Sequence, residues 1–366
     1  MRIGFPVPLL LLLTLAGCRA AAIPAGERFP AGTPFVAQYV EVDGTRIRYI
    51  EAGSAGSRGT VLLLHGLGAS MYSWRHTLGP VAAAGFRVVA FDNRGFGFSE
   101  RPPTGYTNRD YVRLLAELMD SLRVTDAVLV GHSMGGGIAA EMALAHPDRV
   151  RGLALLGSAG VGARPPAAVR MARRPLVGGL ATRFFGRGAT ARLLRSSYAD
   201  PTKVTQADID QYYAPVATDD FGRAFRAAAR EFRFDALPGR LGTLDIPTLA
   251  IWGAEDRIVP VRLGRQLASE LLRVAFVVVP AAGHAVQEEA PEEVNRLLLA
   301  FLTEGLPRVP ENLAYLSPKK DGEGRGKTGE DGKGRVGHTG RAEASPPPYR
   351  TERPPPVTGS PAWDPA

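Results

Sequence analysis

The five residues Gly131-His132-Ser133-Met134-Gly135 set a serine between two glycines, a spacing that could present a nucleophile. A serine hydroxyl attacks poorly on its own; it needs a base within hydrogen-bond reach, and that base needs an orienting carboxylate. Six histidines are available. His65 sits in a glycine loop at a strand end, and His132 adjoins the serine with its side chain expected to point elsewhere. His76 and His146 fall on helical patterns, and His338 lies in a polar tail. His284 remains as the base, in Pro280-Ala-Ala-Gly283-His284, a turn at a strand's carboxyl end. For the acid, Trp252-Gly-Ala-Glu255-Asp256 offers two carboxylates, and either fits the chain order serine, acid, histidine. The loop after Leu156, Gly157-Ser-Ala-Gly160, offers no acid. Acyl chemistry also needs donors aimed at a developing oxyanion. The backbone N–H of Met134 follows the serine, and that of Leu67 belongs to the loop His65-Gly66-Leu67-Gly68. This chemistry calls for neither a metal nor a cofactor.

The elements that must hold these residues can be read around them. Ala127 to Val130 has strand length and β-branched content, and the alanine-rich stretch after Ser133 favours a helix up to Pro147. Strand, sharp turn and helix with the serine at the apex is the context that gives the pentapeptide meaning. Gly131 and Gly135 remove side chains that would clash in such a turn. Upstream, Tyr39 to Asp43 and Thr45 to Glu51 alternate around Asp43-Gly44, a hairpin signal. Val61 to Leu64 and Arg87 to Phe91 read as strands, with helices over Trp74 to Ala84 and Asn108 to Leu122. Val150 to Leu156, Thr248 to Trp252 and Ala275 to Val279 continue the strands, with helices over Val261 to Leu272 and Glu292 to Leu302. This alternation predicts a largely parallel sheet with right-handed crossovers. Between about 160 and 240 the rhythm stops. Broken helical patterns and aromatics (Phe184, Phe185, Tyr198, Tyr212, Tyr213, Phe221, Phe225) predict a mostly helical insert.

At 366 residues, with 45% apolar and 22% charged residues, the chain is an ordinary globular sequence with a sizeable core. Its net charge is +8, and the insert from Val161 to Arg240 alone holds fourteen basic against seven acidic residues. No nucleic-acid-binding motif accompanies them, so an arginine-rich solvated surface is the expected reading. The single cysteine, Cys18, excludes an intrachain disulfide. It ends a segment with Arg2 as a positive start and an apolar run from Val7 to Leu15 too short to span a bilayer comfortably. Leu15-Ala16-Gly17-Cys18 resembles the lipobox of bacterial lipoproteins. That resemblance implies a signal peptide over residues 1–18, lipidation of Cys18 and an exported, membrane-anchored protein of the cell envelope. A secretory signal cut near Ala20 to Ala22, giving a soluble exported protein, is the alternative, and an uncleaved anchor is a third reading. Residues 19–37 read as a linker. Residues 305–366, with few apolar positions and two Pro-Pro-Pro runs, read as a disordered tail.

Residues 38–304 carry H-G-x-G, D-x-R-G-x-G-x-S, G-H-S-M-G-G, W-G-x-x-D-x-x-V-P and G-H. Together these resemble the α/β-hydrolases with a helical cap. The resemblance implies an eight-stranded-type, mostly parallel sheet with helices on both faces and a cap over about 160–240. It also implies Ser133, Asp256 rather than Glu255, and His284 as a triad, supported by His65, Gly66, Gly131 and Gly135. Asp92, Arg94 and Ser99 are expected to stabilise their loop. The expected activity is a carboxylic ester hydrolase working on a small-molecule acyl substrate through an acyl-enzyme on Ser133. A C–C bond hydrolase of ring-cleavage products is the alternative, and the cap arginines would suit its acidic substrates. Ala285 stands where that family often has tryptophan. A surface protein that kept the fold without catalysis is a third reading. Epoxide hydrolases and haloalkane dehalogenases look similar around Tyr72-Ser73-Trp74 but need an aspartate nucleophile. The sequence implies no nucleic-acid partner and leaves the oligomeric state open.

Overall fold

The apolar runs that flank each candidate residue become the middle of one sheet. In a computed structural model, described for residues 35–53, 58–162, 165, 167–174, 178–179 and 185–306, eight strands form a single sheet ordered β1-β2-β4-β3-β5-β6-β7-β8. The strands are β1 (Gln38–Val42), β2 (Thr45–Ala52), β3 (Thr60–Leu64), β4 (Arg87–Phe91), β5 (Ala127–His132), β6 (Val150–Leu156), β7 (Thr248–Gly253) and β8 (Val274–Val279). The hairpin β1–β2 and the pair β2–β4 are antiparallel, and every later pairing is parallel. Cys18, the signal segment, Phe184 and the tail beyond Leu306 lie outside the described residues, as does the linker before Phe35.

Both faces of the central strands are apolar, which is why they read as continuous hydrophobic runs rather than alternating ones. Leu62, Leu64, Leu129, Leu153 and Leu155 point into one core with the helices Asn108–Ser121 and Met134–Ala145. Val61, Leu63, Val130, Ala154 and Leu156 point into the other, against the helices Leu78–Ala83 and Pro291–Glu304. The expected helix over Trp74 to Ala84 is broken. Met71–Trp74 is a 3-10 turn and the helix begins only at Leu78, which leaves His76 in a turn. Pro80 explains the break, because its ring clashes with the carbonyl four residues earlier and it offers no N–H.

Between β6 and β7 the described part of the insert is helical, at Ala167–Ala172, Arg187–Ser196, Gln206–Val216 and Phe221–Glu231. The third of these starts in a capping box: Thr205 accepts from the Asp208 N–H while the Asp208 carboxylate accepts from Thr205. Below it, the loop after β4 is held as the sequence suggested. Asp92 accepts from the N–H groups of Met71 and Phe98, Ser99 donates to the Asp92 carbonyl, and Arg94 pairs with Asp43.

Candidate active site

Strand β5 runs straight into the turn that carries Ser133. The serine sits at φ 52° and ψ −118°, a sparsely populated positive-φ conformation that costs a non-glycine residue about 1–3 kcal/mol. Four main-chain hydrogen bonds brace it. Its carbonyl accepts from Gly136, Gly137 and Ala159 at 3.0, 3.2 and 2.8 Å, and its own N–H donates to Leu156 at 3.0 Å. Strand and helix cross so closely here that a Cβ on Gly131 would strike the main chain of Gly135 and Gly136. One on Gly135 would strike that of Leu64 and His65.

The N–H of Met134 opens the helix Met134–Ala145 and has no partner among the described residues; neither has that of Leu67. Gly66 brings the second loop against the serine, since a Cβ there would lie 3.1 Å from that of Ser133. His65 fixes the loop from beneath. Its Nε2 accepts from the Asn93 N–H at 2.8 Å and its Nδ1–H donates to the Gly66 carbonyl at 2.8 Å. Complete burial holds this imidazole neutral, below the usual histidine range.

His284 is buried, and its Nδ1–H donates to Asp256 Oδ2 at 2.8 Å. The other oxygen, Oδ1, accepts from the N–H groups of Ile258 and Val259, both at 2.8 Å, so the carboxylate is oriented by its own loop. Glu255 turns to solvent, with 49% of its side chain exposed. Gly157 lies flat against the pair: a Cβ there would meet His284 Nδ1 at 3.1 Å and Asp256 Oδ2 at 3.2 Å, and its φ is +49°. The position that lacks an acid is thus one where any side chain would crowd the acid and base.

The structure corrects one expectation and adds two residues. His132 does not point elsewhere. Its Nε2–H donates to the His284 carbonyl at 2.9 Å, and the two rings are 4.8 Å apart. Burial, then the neighbouring His284, hold it neutral, well below the usual range. Glu288 and Glu289, in the short helix Val286–Glu289, carry no motif, yet both are buried. Glu289 accepts from the N–H groups of Gly283, Ala199 and Asp200 at 2.7, 2.9 and 2.7 Å, tying the histidine loop to the insert. Ala285 adds a second tie through its N–H to the Ser197 carbonyl at 3.1 Å. A conspicuous acidic pair before Pro291 was the available signal, but it reads equally well as the solvated start of a helix.

Ser133, Leu67, His132 and His284 open onto one cavity of about 270 Å3. Its walls are mostly apolar, with Val169, Phe185, Leu194, Phe221 and Phe225 from the insert and Ile258 and Val259 from the body. Phe221 and Phe225 stack at 5.9 Å, and Phe185 packs edge-on against Phe225 at 5.2 Å. No arginine or lysine is among the described residues of the wall, and Glu288 is its one carboxylate. Among the described residues no cluster of side chains could hold a metal ion, and no helix is long and apolar enough to cross a membrane.

With this geometry in place, comparison with known proteins defines the class. The profile of the alpha/beta hydrolase fold matches residues 59–291. An uncharacterized hydrolase, YugF of Bacillus subtilis (strain 168), is 30% identical over 71% of this chain and 96% of its own length. Among solved structures, the meta-cleavage product hydrolase of Pseudomonas fluorescens IP01 is 28% identical with a TM-score of 0.64, covering 73% of this chain and 97% of that one. The enol-lactonase of Burkholderia xenovorans LB400 is 25% identical with a TM-score of 0.64, covering 73% of this chain and all of that one. The chain belongs to the alpha/beta hydrolase fold family and is a hydrolase of that fold.

Proposed function

We propose that the protein is a serine hydrolase of carboxylic esters that works through an acyl-enzyme on Ser133. In this reading His284 takes the Ser133 proton as the hydroxyl attacks the ester carbonyl, and Asp256 steadies the resulting imidazolium. The free N–H groups of Leu67 and Met134 hold the oxyanion. His284 then protonates the leaving alcohol, and water repeats the sequence on the acyl-enzyme. The observation that carries this reading is the cavity: the strained serine, Leu67 with its unpartnered N–H and His284, backed by buried Asp256, line one apolar chamber, and the unpartnered N–H of Met134 follows the serine. The test is hydrolysis of p-nitrophenyl butyrate by the wild type and Ser133→Ala. A loss of at least about 10³-fold in kcat is expected; unchanged turnover in the variant would sink the mechanism and the role of the motif, and no turnover by the wild type would leave a surface protein without catalysis.

Similarity to the meta-cleavage product hydrolase favours a second reading, cleavage of a C–C bond in an acidic diketone. The apolar wall, with no described cation to receive a carboxylate, and Ala285 after the histidine both speak for the ester. Following the visible absorbance of a 2-hydroxy-6-oxo-dienoic acid would decide it, since rapid Ser133-dependent bleaching is expected only of the C–C hydrolase.

For location, the proposal is an exported lipoprotein anchored through lipidated Cys18, supported by Leu15-Ala16-Gly17-Cys18 after an apolar run. Cys18→Ser should abolish incorporation of labelled palmitate; a labelled variant would refute the anchor.

A further inference from the structure

Beside the candidate triad lies a buried ionic cluster that the proposed chemistry does not use. Arg75, in the turn after Met71–Trp74, donates through Nη1 to Glu288 Oε2 at 2.5 Å and through Nη2 to Asp208 Oδ1 at 2.9 Å. Tyr212 donates to Glu288 Oε1 at 2.5 Å and Tyr72 to Asp208 Oδ1 at 2.8 Å, while the guanidinium stacks 4.4 Å over the Tyr72 ring. The side chains of Glu288, Asp208 and Arg75 are 1%, 8% and 10% exposed. Burial keeps the phenols of Tyr72 and Tyr212 protonated, above their usual range. Two carboxylates therefore share one guanidinium, and the cluster carries a net negative charge. Glu288 borders the cavity that holds Ser133 and His284, its carboxylate lying just behind the wall with 1% of the side chain exposed. Each of its oxygens has one partner, Arg75 or Tyr212, and its field reaches the cavity across a layer of low polarisability.

We propose that Glu288 sets the charge selection of this site, admitting esters with neutral or cationic acyl chains and turning away those with a free carboxylate. This rests on the ester reading. Two effects act on an anion here. The apolar wall strips its water without supplying a cation, and Glu288 repels it across a medium that screens poorly. Only the second effect changes sign for a cation. An uncharged apolar chamber would reject both ions; one with a negative wall separates them.

The experiment compares three acyl chains of similar length with the same leaving group: p-nitrophenyl methyl adipate, mono-p-nitrophenyl adipate and p-nitrophenyl 6-(trimethylammonio)hexanoate, assayed at pH 8. For the wild type, kcat/KM for the anion should fall at least roughly 30-fold below that for the methyl ester, while the cation stays within about threefold of it or exceeds it. Glu288→Gln should narrow the anion penalty at least roughly fivefold, read as the ratio of the anion to the methyl ester so that any loss common to both substrates cancels. An anion within about threefold of the methyl ester in the wild type overturns the proposal. So does a cation excluded as strongly as the anion, a result that needs no variant. A folded, active Glu288→Gln with the wild-type ratio also overturns it. No Ser133-dependent turnover of any of the three overturns the ester reading itself, and the charge selection with it.

Discussion

Replacing Glu289 by glutamine tests whether the histidine loop owes its position to the insert. The carboxylate is 4% exposed and accepts three backbone N–H groups, two through Oε2 and one through Oε1. A glutamine has one carbonyl oxygen. Its better orientation keeps the oxygen toward Gly283 and Ala199 and turns the amide NH2 toward the Asp200 N–H, so one bond becomes a donor facing a donor. A hydrogen bond to a charged group contributes about 1.5–3 kcal/mol and a neutral one about 0.5–1.5 kcal/mol. Losing one bond and weakening two gives a destabilisation of about 5 kcal/mol, before any relaxation. For a domain of this size that lowers the melting temperature by roughly 10–20 °C. Because Gly283 precedes His284, kcat should fall about tenfold at temperatures where the variant is fully folded, with KM for p-nitrophenyl butyrate moving less. Thermal denaturation by circular dichroism and initial rates at 20 °C give both quantities. A melting temperature within about 2 °C of the wild type refutes the stability argument. A folded variant with wild-type kcat refutes the coupling of insert to base.

Gly157→Ala should put a methyl 3.1 Å from His284 Nδ1 at a positive φ, costing about 1–2 kcal/mol of backbone strain and at least roughly tenfold in kcat/KM; wild-type kinetics would show that the acid–base pair tolerates the crowding. The buried imidazoles of His65 and His132 are both held neutral, below their unfolded value near 6.5. The unfolded chain thus takes up protons that the folded one refuses, so stability is present above about pH 6.5 and is lost as pH falls below it. The loss is at most about 1.4 kcal/mol per pH unit per histidine. Glu288, its pKa raised by burial, works in the opposite sense and gains stability as pH falls through its folded value. Denaturant melts at pH 7.5, 6.5 and 5.5 should show the net fall, and His132→Gln should flatten it; an equal slope in that variant would remove His132 from the account.

What could be read from the sequence depended on how local its cause is. Val61-Leu-Leu-Leu64 and Val150 to Leu156 became strands because burial on both faces leaves a run of apolar residues, and that pattern needs no knowledge of neighbours. The serine turn was legible because Gly131 and Gly135 are required by contacts within a few residues. Asp256 rather than Glu255 came from a family spacing, and its geometric reason, two N–H groups of its own loop, is visible only in three dimensions. Glu288 and Glu289 were illegible for the opposite reason. Their partners Arg75, Asp208, Tyr212, Ala199 and Gly283 come from the body, the insert and the histidine loop, so no short window holds the signal. His132 was misjudged because strand alternation says which face a side chain leaves from. It does not say which loop will arrive opposite.

The shared carboxylate of Glu289 has a consequence for how this protein could be rebuilt. The contiguous stretch between β6 and β7 looks like the natural module to exchange for a different substrate range. Its seat, however, is made by side chains about eighty residues further along: Glu289 beneath Ala199 and Asp200, and Glu288 beneath Tyr212. A transplanted insert without residues 283–289 of its own parent would arrive without its footing. It would also take Tyr212 from Glu288, and the Ala199 and Asp200 N–H groups from Glu289, leaving each buried acid with only part of its partners. The heritable unit is therefore discontinuous, an insert together with the turn that carries the histidine.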